Sequence, residues 1–187
     1  MKYIYTLILF TIALNGYSQE PDEFFKTDST IDFENECIRS TPEPLVDKHQ
    51  FPDATFRLEN EVGFETVVIS DTETLILKNT GCESYVLVLR FEVPSQERKT
   101  DDVTFWYKRL VKLVSEVSGY IDSPVNLKEA NGKLINYIDD YDNQPLKLGQ
   151  YITIYDGDIP EVMAFQKIKN IGEDKVALEL SIWVGPL

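Results

Sequence analysis

Apolar and polar positions alternate along residues 56–93, and that period of two predicts a run of strands. Phe56 and Leu58 alternate with Arg57 and Glu59, and Glu61-Val62-Gly63 is the expected turn after them. Runs at 64–70 and 73–79 flank Asp71-Thr72, a pair suited to a hairpin connection. Gly81 then supplies a turn before the strongest strand signal, residues 85–93. There Tyr85, Leu87, Leu89, Phe91 and Val93 share one face, and Val86, Val88, Arg90 and Glu92 share the other.

Beyond Pro94 the period changes. Val103, Trp106, Tyr107, Leu110, Leu113, Val114 and Val117 recur at three- and four-residue spacing, which predicts a helix with one buried stripe. Thr100 or Asp101 is the expected cap, Asp102 favours the positive end of the helix dipole, and Gly119 stops the helix. Ser123-Pro124 is the expected start of a second helix with Leu127, Ala130, Leu134 and Ile138 on its apolar face. Gly132 inside it lowers helix propensity by roughly 1 kcal/mol. After an acidic loop at 139–149, strands are expected at 150–155, 162–169 and 175–184. In the last of these, Val176, Leu178, Leu180, Ile182 and Val184 share a face and Trp183 lies on the opposite one.

Strands, two helices, then strands predict an α+β fold: an antiparallel or mixed sheet with two helices packed on one face. Residues 54–187 would form that globular domain, preceded by a polar arm at 19–53. Residues 41–53, with three prolines, are expected to be extended or turning without regular structure.

The first eighteen residues follow a different pattern. Lys2 precedes a charge-free run at 3–14, shorter than a membrane-spanning helix needs, and Gly16 and Ser18 are small residues before Gln19. Residues 1–18 therefore read as a signal peptide, which places the protein in the periplasm or outside the cell, with no integral span after processing. Removing them leaves 169 residues with 17 basic and 32 acidic side chains, a formal charge of −15. That charge repels nucleic acid and anionic headgroups and suits a cationic envelope or extracellular protein. Cys37 and Cys82 are the only thiols, and in an exported chain an even count predicts a disulfide. Such a bond would pin the arm onto the sheet.

Catalytic signatures are sparse. The single histidine, His49, lies in the proline-bounded segment without a partner at informative spacing, and there is no G-x-S-x-G elbow or phosphate-cradling glycine loop. No cofactor or metal is implied, because the acidic loops do not match a twelve-residue calcium loop. Recognition is better served. Asp139, Asp140 and Asp142 follow the second helix, and Asp156 and Asp158 occupy a turn. Tyr141 and Tyr155 stand beside these carboxylates, and Trp183 offers a further aromatic anchor. Tyr137 and Tyr151 are expected to pack within the domain. The expectation is an exported, non-catalytic binding protein, such as an inhibitor or immunity factor for a basic extracytoplasmic enzyme. A structural or envelope-maintenance role and a carboxylate-based hydrolase are the alternatives.

Overall fold

Among the described residues, seven antiparallel strands and two helices make up an α+β architecture. The computed structural model describes residues 41–81, 84–95, 100–141 and 145–185. Strands β1 (Thr55–Glu59), β2 (Val62–Ser70), β3 (Glu73–Thr80) and β4 (Tyr85–Pro94) form a meander. Helices α1 (Val103–Val117) and α2 (Leu127–Asp140) then carry the chain across the sheet. It returns through β5 (Ile152–Tyr155), β6 (Glu161–Asn170) and β7 (Lys175–Val184), and β7 pairs with β4. The strand order is therefore β1-β2-β3-β4-β7-β6-β5.

The hydrophobic alternation determines which face is buried. Leu87, Leu89 and Phe91 of β4 stand beside Ile182, Leu180 and Leu178 of β7, all at most 1% exposed. Against them pack Trp106, Tyr107, Leu110, Leu113, Val114 and Val117 of α1 with Leu127, Ala130 and Leu134 of α2. Removing that much apolar surface from water is the main stabilising term. Arg109 of α1 also forms an ion pair with Glu73 of β3.

Residues 41–53 join this core on the helix side. Val46 bridges Ile121, and Leu45, Val46 and Phe51 pack against the cluster. Glu65, 1% exposed, faces the helix layer because it lies opposite Leu77. Its carboxylate accepts the Leu45 N–H at 2.6 Å and the Val46 N–H at 3.1 Å. Asn79 donates to the Glu43 carbonyl at 3.5 Å, and a Cβ on Gly63 would come within 3.0 Å of Pro42. The proline-bounded segment is thus clasped to β2 and β3.

Local details differ from the sequence expectations in three places. The first hairpin turns at Asn60-Glu61, both with positive φ (47° and 62°), while Val62 and Gly63 lie in β2. Positive φ at both central residues is what a two-residue hairpin of right-twisted strands requires, and Asn tolerates it. Asp102 itself caps α1, accepting the Phe105 N–H at 3.1 Å. Helix α2 starts after Asn126, whose side chain accepts from the Glu129 N–H at 3.2 Å. Ser123 instead donates its hydroxyl to the Val125 carbonyl.

Candidate functional site

The acidic and aromatic candidates fall into three places. Asp139, Asp140 and Tyr141 lie at the C-terminal end of α2, and Asp142 is outside the described residues. Tyr155 ends β5, and Asp156 and Asp158 follow it in the exposed turn to β6. Glu129 in the first turn of α2 acts electrostatically on Glu161, the β6 residue opposite Tyr155. The N-terminal end of α2 therefore faces the β5–β6 turn. A helix of 14 residues is about 20 Å long, so the two acidic groups are held well apart. Trp183 stands on the sheet face away from the helices, between Val86 and Val162.

At the C-terminal end of α2 the tyrosines pack inward. Tyr137 and Tyr141 are half-buried with ring centroids 4.7 Å apart, and Tyr107 lies 5.8 Å from Tyr137. Tyr107 donates its hydroxyl to the Lys147 carbonyl at 2.9 Å and sets its ring edge-on to Phe165. Burial raises the Tyr107 hydroxyl above its ordinary pKa, and the Tyr137 hydroxyl is pushed up to about 12, by burial first and then by Tyr141. These rings are neutral packing elements over the physiological range.

The other end of α2 differs. Tyr155 is 55% exposed and Ile159 60%, with Asp156 and Asp158 exposed between and beside them. Tyr151, at 59%, leans its ring edge-on against Trp183 at 5.6 Å. Strand alternation buries Ile152 and Ile154 in the core and leaves Thr153 and Tyr155 in water, and the pairing register with β6 shifts between Thr153 and Tyr155. Gly157 shapes the turn because the Tyr155 ring occupies the space its Cβ would need. Tyr151, Tyr155 and Ile159 are thus exposed along the β5 edge and its following turn, with the Asp156 and Asp158 carboxylates beside them.

No family model, curated protein or solved structure matches this chain.

At this edge the pKa of Glu161 is raised, first by desolvation and then by the Glu129 charge. His49 is exposed, with its backbone N–H on the Asp47 carboxylate, in a cleft lined by Pro44–His49 and Gly119–Asp122. Among the described residues, no group of three His, Cys, Asp or Glu side chains has an arrangement that could hold a metal ion. Nor, among those residues, is any helix long and apolar enough to cross a membrane. Residues 1–18, Cys37 and Cys82 lie outside the described residues.

Tyr151, Ile159, Glu129 and Glu161 were not singled out as site residues by sequence reasoning. Tyr151, expected to pack within the domain, precedes the first paired residue of β5 and is 59% exposed. Ile159 had a usable signal: a large apolar side chain isolated between Asp158 and Pro160.

Proposed function

We propose that this is an exported, acidic, non-catalytic binding protein whose contact surface is the β5 edge and the β5–β6 turn. The observation that carries the reading is exposure of Tyr151, Tyr155 and Ile159 on one edge beside Asp156 and Asp158. Exposed apolar side chains bordered by charge have the composition of a protein interface, with aromatic contacts inside and a polar rim around them. The partner is a cationic protein of the envelope or exterior, and an inhibitor or immunity role toward a basic enzyme fits that chemistry. The signal-like residues 1–18 and the formal charge of −14 for the whole chain support the compartment and the sign of the partner.

Division of labour within the surface follows from the physics. Asp156, Asp158 and the other carboxylates accelerate encounter, while Tyr155 and Ile159 slow dissociation. Capture with a photo-crosslinking side chain at position 155 or 159, in an envelope fraction at physiological salt, tests the proposal. A discrete adduct with a basic protein is expected. Adducts that disappear as salt is raised to the physiological level would reduce the interaction to nonspecific attraction.

A carboxylate hydrolase is the second reading, and one observation favours it: Glu161 has a raised pKa with Glu129 facing it. Turnover of a glycoside or ester substrate that Glu161→Gln abolishes would establish that reading in place of recognition.

A further inference from the structure

The two edges of the sheet are guarded differently. An edge strand turns half of its N–H and C=O groups outward, so it templates another strand unless charge or distortion prevents it. β1 ends one side of the sheet, and there Arg57 and Glu59 form an ion pair at 2.9 Å with both side chains about half in water. Charge on that rim discourages a second strand. β5 ends the other side. Residues 150–155 include no charged residue, proline or glycine, and Tyr151, Ile152, Thr153, Ile154 and Tyr155 are aromatic or β-branched types that favour extended backbone.

The β5 edge is also firmly held and open to water. Ile152 and Ile154 anchor it in the core, and the Gly149 N–H bonds the Phe165 carbonyl, which keeps the chain beside β6 ahead of β5 as well. From Gly149 to Tyr155 that is about 20 Å of backbone. Tyr151, Thr153 and Tyr155 are exposed, as are residues 147–150 before them and 156–159 after. Four of the eight large apolar side chains exposed among the described residues fall in this stretch: Leu148, Tyr151, Tyr155 and Ile159.

Charge selects the occupant. Asp156 and Asp158 stand exposed just past β5, and Glu161 and Glu129 add negative charge beside the same turn. Lys147 lies at the other end of the edge, so a partner's cations belong at the Tyr155 end. A second copy would bring its own formal charge of −14, which opposes approach, whereas a basic segment is attracted.

We propose that the β5 edge takes up its cationic partner by strand addition: an extended segment of that protein pairs with residues 149–155 as a further strand, its Lys or Arg side chains against Asp156 and Asp158. This mode rests on the edge being the contact surface proposed above, and it adds the form the partner segment must take. Main-chain pairing supplies the ladder, Tyr151 and Tyr155 flank alternate side chains of the added strand, and charge fixes its register.

The test uses the full chain at physiological salt and a capped synthetic peptide of alternating Lys and Val. A second peptide has the same sequence with every amide N-methylated, so it keeps the charges and cannot donate to a ladder. Saturating amounts of the first peptide should slow amide hydrogen exchange in residues 149–155 several-fold and leave α1 unchanged. The methylated peptide should bind roughly ten-fold more weakly, the loss expected when net ladder hydrogen bonds are removed. Asp156→Asn combined with Asp158→Asn should weaken the first peptide several-fold while the circular dichroism spectrum is unchanged. Equal binding of the two peptides, no binding of either, or binding without slower exchange in 149–155 would overturn strand addition. Slower exchange there that grows with protein concentration and needs no peptide would overturn it too, by making a second copy the occupant. A position-155 adduct with a basic protein would survive any of these results, and its absence is the separate failure of the contact surface itself.

Discussion

Glu65 shows how one residue can organise a segment and set a pH dependence. Burial raises its pKa more than the Leu45 and Val46 N–H groups and Lys48 lower it. A folded-state pKa above the unfolded value contributes stability at low pH, and that contribution is lost as pH rises through the folded value. The stability difference between the native protein and Glu65→Gln should therefore move in favour of the variant as pH rises from about 4 toward neutrality. Urea midpoints at several pH values measure it, and a constant difference would contradict the assignment. Glu65→Ala should cost about 2–4 kcal/mol near pH 4, because it leaves two backbone donors without their acceptor, and the cost should shrink as pH rises as it does for Glu65→Gln. In the sequence, 64–70 carries apolar residues at both parities, so the alternation alone does not place Glu65 inward. The pairing with Leu77 and the clasped segment at 41–46 decide it. Gly157 illustrates the opposite case, a residue whose absent side chain positions another. Gly157→Ala should leave stability within about 0.5 kcal/mol, since only the exposed Tyr155 ring must move, yet it should weaken any complex made through that ring. Thermal denaturation and dissociation rates separate the two effects.

Most elements were legible, because outside 64–70 each has one clean period. The α1 stripe read from the sequence is the stripe that packs, with Trp106, Leu110, Leu113 and Val117 fully buried. Element ends were less legible, since competing Ser, Thr, Asp and Asn residues can each cap a helix. Asp102→Ala should cost about 1 kcal/mol, whereas Asp101→Ala should cost little. Comparison of the two midpoints checks which residue caps α1. Gly132 proved no obstacle to α2, and a Cβ there meets nothing within 4 Å. Gly132→Ala should accordingly stabilise the fold by about 0.5–1 kcal/mol, measured by denaturant titration. The β5 bulge was invisible in the sequence because two apolar residues at alternate positions look the same whether or not the ladder slips after them. Tyr155 itself lies in water by the plain alternation of β5, not by the slip.

At the scale of the whole molecule, strands–helices–strands was enough for the fold class and insufficient for the strand order. Nothing in the period of β5 to β7 says at which edge the chain re-enters, and the observed order follows from β7 pairing with β4. That order separates the two acidic segments, which are close in sequence, by the length of α2. It also assigns the exposed aromatics to the β5 edge and Trp183 to the helix-free face. Trp183 was foreseen opposite the core set, whereas grouping by tertiary contact could not be read from spacing along the chain. Under the proposed function, the β5 edge recognises a cationic protein. Photo-crosslinking from position 155, compared with the exposed position Lys112 on α1, in an envelope fraction at physiological salt tests it most directly. A discrete adduct with a basic protein from position 155, lost in Ile159→Asp and absent from position 112, is the predicted result. Equal labelling from both positions, or none from position 155, would contradict the claim.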